Sequence, residues 1–217
     1  MIEKVNPFLF SGSLEDIKNT QAQYLDYFKD RESVLDIGCG RGLFMKMLER
    51  VNAKSVGVDL SAEAIKECKS SGLDVHLQNA NDYLKAHPKT HDGIFASHLL
   101  EHLTPDEALL FLNLASSSLK SGGILLIATP NIENPLTWQR GFWLDLDHKR
   151  PYPRQLIEQL LTEQGLTIIA SGHNPYMAHM IRRGARGVRG KIGYWVKRLR
   201  LGPNFLAGDT FVVAKKT

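Results

Sequence analysis

The sequence predicts one α/β domain organised around a mainly parallel sheet. Three observations carry that expectation. Seven short apolar or β-branched runs alternate with helical patterns along most of the 217 residues, the spacing of strand–helix–strand units. A glycine-rich turn joins the first run directly to the first helical pattern after it. The composition, 43% hydrophobic and 23% charged, is that of a chain with a substantial core. At this length neither a disulfide nor a metal is needed to hold such a core.

The elements are taken in chain order. Residues 1–32 are expected to form a cap helix, with Leu14, Ile17, Tyr24, Leu25 and Phe28 as its apolar positions. Residues 33–217 form the domain proper. Its strands are expected at Ser33–Ile37, Ser55–Asp59, Asp74–Gln78, Gly93–Ser97, Ile124–Thr129, Leu166–Ser171 and Thr210–Ala214. Helices are expected at Arg41–Arg50, Ala62–Ser70, Pro105–Lys120 and Pro153–Gln164. Thr104 is an N-cap residue for the third, with Pro105 in its first turn, and Gly122-Gly123 is expected to end it.

Several classes are excluded or disfavoured. The longest apolar stretch, Ile124–Ala128, is far short of the ~20 residues that span a bilayer. Met1 to Phe10 lacks a basic region followed by a long apolar block, so no cleaved signal peptide is expected. Cys39 and Cys68 are the only cysteines and make no disulfide framework. The expected location is the cytoplasm.

Chemistry is concentrated in the turn Asp36-Ile37-Gly38-Cys39-Gly40-Arg41-Gly42. Glycines let a ligand approach the backbone without interference from Cβ, and the helix start after them is expected to offer free N–H groups to a carboxylate or phosphate. The spacing is G-x-G-x-G rather than the G-x-G-x-x-G of a dinucleotide loop, with an acid two residues upstream. Asp59 ends the second strand, where a carboxylate can accept both hydroxyls of a ribose across the sheet's switch point.

Together with the strand end Phe95-Ala96-Ser97-His98, these residues resemble the class I S-adenosylmethionine-dependent methyltransferases. The resemblance covers about residues 30–172. It implies a Rossmann-like, seven-stranded, mostly parallel sheet with helices on both faces and an antiparallel last strand. It also implies S-adenosylmethionine as cofactor and S-adenosylhomocysteine as product. Asp36, Gly38, Cys39, Gly40 and Gly42 would hold the methionine portion, with Cys39 packing rather than acting as a nucleophile. Asp59 would hold the ribose. Leu60, Asn79 and Ala80 would flank the adenine, and Ser97 and His98 would complete the set. Family members often carry Asp where this chain has Asn79, whose carbonyl can still accept an amino proton.

A narrower resemblance rests on Phe10-Ser-Gly-Ser, on Ser97-His98-Leu99-Leu100-Glu101-His102-Leu103 and on Phe142 through Pro151. These stretches are similar to bacterial methyltransferases associated with cell-surface polysaccharide and O-antigen synthesis. The implied acceptor is an oxygen on a glycan, a glycan-linked phosphate or a related small molecule.

His98, Glu101 and His102 are spaced to share one helix face, after the strand end where ligand crevices lie. His148 comes later, in a loop with Trp143, Asp145 and Asp147. A histidine can take a proton from an alcohol near neutral pH, so His148 is the first candidate catalytic residue and His98 the second. In order and loosely in spacing, His98, Glu101, His102 and His148 also resemble the metal-binding set of small-RNA 2′-O-methyltransferases. His98 stands where that family has a carboxylate, and no metal is assigned on this reading.

Charge divides unevenly. Tyr176 to Gly208 carries eight basic residues and no acidic one, while the remainder has 19 basic and 23 acidic. Residues 176–208 therefore read as a basic helical insertion, with Ile192, Trp195, Val196 and Leu199 as an apolar stripe. Such a stripe flanked by cations suits an anionic membrane or a lipid-linked acceptor, reached through residues 182–200. Nucleic acid is not an expected partner. A metal-assisted RNA 2′-O-methyltransferase and a non-catalytic, membrane-recruited cofactor-binding module are the alternatives to a small-acceptor enzyme.

Overall fold

The structure, a computed structural model, describes residues 14–135, 137–174, 176 and 208–217. The expected basic insertion and its Ile192/Trp195/Val196/Leu199 stripe lie outside the described residues, as does Phe10-Ser-Gly-Ser.

Seven strands form one sheet: β1 (Val34–Ile37), β2 (Ser55–Asp59), β3 (Val75–Leu77), β4 (His91–Ser97), β5 (Leu119–Pro130), β6 (Leu166–His173) and β7 (Asp209–Lys216). Their order is β3-β2-β1-β4-β5-β7-β6. β7 runs antiparallel to both neighbours, and the pairings among β1 to β5 are parallel. The last strand thus enters between β5 and β6 rather than at an edge.

Helices cover both faces. Along β1, β4, β5 and β7, alternate side chains belong to two apolar clusters. Leu35, Ile94, Leu125 and Ala214 pack with α4 (Ala80–Ala86), α5 (Pro105–Ser118) and α6 (Arg154–Glu163). Val34, Phe95, Leu126 and Val213 face Phe28 and the α2 (Leu43–Leu48) residues Phe44 and Leu48. Burial on both faces explains the near-continuous apolar runs that reveal these strands. Phe44 stacks on Phe95 at 3.8 Å between centroids.

The cap is shorter than the apolar positions suggest. Helix α1 (Leu14–Ala22) buries no side chain, and the anchoring falls to Tyr24 and Phe28, in and beside the 3₁₀ turn Leu25–Phe28. Helix α3 (Ala62–Ser70) matches its expected span, with Ser61 as N-cap.

Two expectations need correction. Thr104 does cap α5, in a reciprocal box with Glu107, but Gly122-Gly123 does not end that helix. It stops at Ser118, and Leu119 already begins β5. The glycines sit where β5 shifts register against β4, between the His91↔Leu119 and Gly93↔Ile124 pairs. A register shift, not a helix cap, is what the left-handed Gly122 serves here. The second is an omission: α4 is a helix without a matching sequence expectation. Its N-cap is Asn79, whose Oδ1 accepts the Asn81 N–H at 2.8 Å.

Candidate active site

The strand order reverses direction between β1 and β4, so their carboxyl ends open a crevice. Asp36 stands near this end of β1, buried, with no hydrogen-bond donor among the described residues. Burial, aided by the Asp59 charge, pushes its carboxyl up to about 8.

Three amides of the glycine loop are used within the protein. Gly38 and Cys39 N–H both donate to the Val58 carbonyl, at 2.9 and 3.1 Å, and Gly40 N–H donates to Asp59 Oδ2 at 2.8 Å. Those amides tie the loop to β2 rather than facing a ligand. What the loop offers is room: a Cβ added at Gly40 would meet nothing within 4 Å. Gly42 is demanded by packing instead, since a Cβ there would fall 2.3 Å from Leu73 Cδ1. Its left-handed φ of 68° also delays the helix to Leu43. Cys39 is buried, and burial pushes its thiol up, as befits a packing residue.

Asp59 Oδ1 accepts the Ser61 N–H at 2.8 Å. Each carboxylate oxygen thus holds one loop amide and keeps a second lone pair for a ligand. Leu60 is next, with 71% of its surface exposed, an apolar side chain at the crevice rim. Asn79 and Ala80 lie at the start of α4, beyond β3. The Asn79 carbonyl, the expected acceptor for an adenine amino group, already caps this helix. The Ala80 N–H, in the first turn, has no intrahelical partner.

Across the crevice, Ser97 ends β4 and His98 adopts φ 53°, a left-handed conformation rare outside glycine. His98 is therefore not on a helix with Glu101 and His102, as their spacing implied; only Leu100–His102 forms a 3₁₀ turn. The reversal still brings His98 Nδ1 to 3.0 Å from Glu101 Oε1, and His98 Nε2 to 3.4 Å from Asp209 Oδ2. Against the cost of burial, these two carboxylates hold the imidazole well above its ordinary value. Glu101 is fully buried, and His98 holds it below the usual range in spite of that burial. A protonated His98 has no lone pair with which to act as a base.

The segment after β5 folds back against the turn that follows β4. Thr137–Gly141 makes a π-helical turn, and Phe142–Leu144 a 3₁₀ turn. Glu101 pins the end of this loop: its backbone carbonyl accepts the Lys149 N–H at 2.8 Å. His148 Nδ1 lies 2.7 Å from the Phe142 carbonyl oxygen, and its ring sits edge-on to His102 at 4.7 Å. Trp138 and Trp143 meet at 5.6 Å between centroids, and both are exposed, as are Leu144 and Leu146. One donor atom each from Glu101, His102 and His148 lies within 4.8 Å of the others.

Residues 12–171 match the family described as a methyltransferase domain. The chain belongs to that family. A crystal structure of a SAM dependent methyltransferase from Archaeoglobus fulgidus is similar at a TM-score of 0.76 and 28% identity, over 96% of this chain and 97% of that one. A ubiquinone biosynthesis O-methyltransferase from Sodalis glossinidius (strain morsitans) is 29% identical over 139 residues, 58% of this chain and 55% of that protein. Another so named, from Xylella fastidiosa (strain M23), is 36% identical over 118 residues, 49% and 47% of the two. The chain spans about half the length of these curated relatives. Neither is named for polysaccharide synthesis, the narrower class that the sequence resembles.

Within this methyltransferase domain, Thr129, Phe142 and Asp209 position site residues without any local sequence signal. Thr129 Oγ1 donates to Glu101 Oε2 at 3.0 Å, and Asp209 reaches His98 only because β7 enters beside β5.

Proposed function

We propose that this chain is an S-adenosylmethionine-dependent O-methyltransferase acting on a small acceptor with an apolar portion. The observation that carries the reading is the division of one crevice in a methyltransferase-family fold. Asp36, the glycine loop and Asp59 line the β1–β2 side, and His98, Glu101 and His148 the β4–β5 side. The first group suits a cofactor with an ammonium and a ribose. Asp36 would meet the ammonium, and the spare lone pairs of Asp59 the ribose hydroxyls.

Methyl transfer then needs the acceptor oxygen in line with the sulfonium, and alignment alone can lower the barrier by about 7–11 kcal/mol. His148 is the acceptor-side candidate. With its Nδ1 proton spent on the Phe142 carbonyl, Nε2 keeps a lone pair to orient or deprotonate a hydroxyl. His98, held as a cation, would position rather than accept protons. Exposed Trp138, Trp143, Leu144 and Leu146 favour an acceptor that is partly apolar, and the O-methyltransferase names of the relatives favour oxygen. The basic residues of 182–200 would add attraction to an anionic membrane surface presenting such an acceptor. No helix of the described residues is long and apolar enough to cross a membrane.

The test is a panel of acceptors with methyl-labelled cofactor: polar phenols, phenols carrying an apolar tail, glycans and RNA. Label is expected in the tailed phenols. Transfer confined to glycans would replace this acceptor reading, and preferential binding of a nicotinamide dinucleotide would end the cofactor reading.

A further inference from the structure

His91 opens β4 at the end of the sheet opposite the crevice and is buried. Its ring stacks at 6.0 Å on Tyr83 of α4 and lies 6.4 Å from His87, which follows that helix. Tyr83 stacks in turn on His87 at 4.1 Å. His91 Nδ1 is 3.1 Å from Ser33 Oγ, but Nε2 is buried and has no hydrogen-bond partner among the described residues. The adjacent acid is already engaged: the Asp92 carboxylate accepts the Glu32 and Ser33 N–H groups at 2.9 and 3.1 Å.

We propose that His91 and His87 form an acid-sensitive latch on α4, closed while His91 is neutral and opened by its protonation. A neutral His91 suits its surroundings, since the ring stacks and one nitrogen finds Ser33. A second ring proton would set a donor on Nε2 with no acceptor, and a buried charge without a partner is costly. The charged and titratable groups that face the ring are His87 and Tyr83 from α4 and its end, Lys120 from β5 and Asp92 from β4 itself. His87 and Lys120 oppose a cation, and Asp92 offsets only part of that. Burial first, then these two neighbours, push the imidazole down to about 4.

The unfolded chain takes up this proton near pH 6.5, whereas the folded one resists it until about 4. The contribution to stability is therefore complete above about 6.5 and is lost as pH falls toward 4. An opening that exposes His91 becomes easier by up to about tenfold per pH unit across that window. It falls on α4 because the end of that helix is held here. Ser118 Oγ donates to the His87 carbonyl at 2.6 Å, and the Tyr83 carbonyl accepts from His87 Nδ1 at 2.7 Å. The other end of α4 begins with Asn79 and Ala80, the residues expected beside adenine. Acid would thus weaken cofactor binding from the far end of the sheet. That link, unlike the latch, rests on the cofactor reading of the crevice.

The test is hydrogen exchange of the ligand-free full chain, read by mass spectrometry and corrected for intrinsic rates, at pH values from about 7.5 down to about 5. Openings in α4 peptides should rise by up to about tenfold per pH unit below 6.5, and His91→Gln should flatten that rise. Peptides from α3, whose apolar cluster contains no histidine, should show no such rise. The proposal is overturned if wild type and His91→Gln respond to acid alike, or if α3 and α4 do. His87→Gln, at a half-buried position, should make the rise shallower by removing a repelling charge. It tests the latch even if His91→Gln fails to fold, because an unaltered rise overturns the pairing. Calorimetry with S-adenosylhomocysteine should show the wild type losing several-fold more affinity in acid than His91→Gln, since the Asp36 contribution is common to both. Acid opening of α4 with equal losses of affinity would refute the adenine assignment and leave the latch standing.

Discussion

His98 Nδ1 and the fully buried Glu101 Oε1 stand 3.0 Å apart, joined by a backbone reversal rather than by a helical turn. Breaking a buried pair from one side strands a charge, which costs about 3–5 kcal/mol. With the His98 side chain 47% exposed, water recovers part of that. His98→Ala should therefore destabilise the fold by about 2 kcal/mol in urea unfolding. Adding Glu101→Gln to His98→Ala should restore part of the loss. Strict additivity of the two variants would show that the pair is not coupled.

Asp36 supplies a pH dependence with two signs. In the empty site its carboxyl is pushed up to about 8, above its value in the unfolded chain. Its contribution to stability is therefore complete at low pH and is lost as pH rises toward and through 8. Asp36→Asn should raise the melting temperature of the ligand-free chain at pH 8–9 and leave it little changed near pH 4. A cofactor ammonium would reverse the preference by favouring the carboxylate. Cofactor binding at pH 7 should release up to about one proton, measured by calorimetry in buffers of different ionisation enthalpy. The release should vanish in Asp36→Asn, along with most of the affinity.

Gly40 and Gly42 share a turn and a left-handed φ but should respond differently to alanine. Gly42→Ala places a methyl group into Leu73, adding about 1–3 kcal/mol of overpacking to about 1–2 kcal/mol of backbone strain. Gly40→Ala meets open space, so only the strain term applies. Thermal unfolding should rank Gly42→Ala as the less stable. Cofactor titration should show that Gly40→Ala still loses affinity, because its methyl group fills the crevice.

On the cofactor side, Asp59→Ala should weaken S-adenosylhomocysteine binding by about 1–3 kcal/mol, the cost of losing charge-assisted hydrogen bonds. Unchanged affinity by calorimetry would refute the ribose assignment.

His148→Ala should lower kcat and leave cofactor affinity close to that of the wild type, because an acceptor-side group acts mainly in the transition state. Equal losses in both measurements would mean that the loop supports the whole crevice instead.

What the sequence by itself determined is the part of this protein written in local chemistry. Apolar runs mark strands because both faces of the sheet are covered, and Thr104-Pro105 announces α5 because capping is a contact between near neighbours. Asp36, the glycines and Asp59 are close in the sequence, and one strand–turn–helix–strand unit brings them together. Local reading failed where one signal serves two structures. Gly122-Gly123 reads as a helix stop but accommodates a register shift, and the Asn79 carbonyl, read as an acceptor for an amino group, also caps a helix that no local pattern announced. Only the tertiary structure decided the contacts at the β4–β5 side of the crevice. His98 meets Asp209 because β7 inserts beside β5, and His148 meets Glu101 and His102 because a loop folds back onto a 3₁₀ turn. Contacts between segments so far apart arise from the packing of the whole sheet, and no short stretch of residues encodes them.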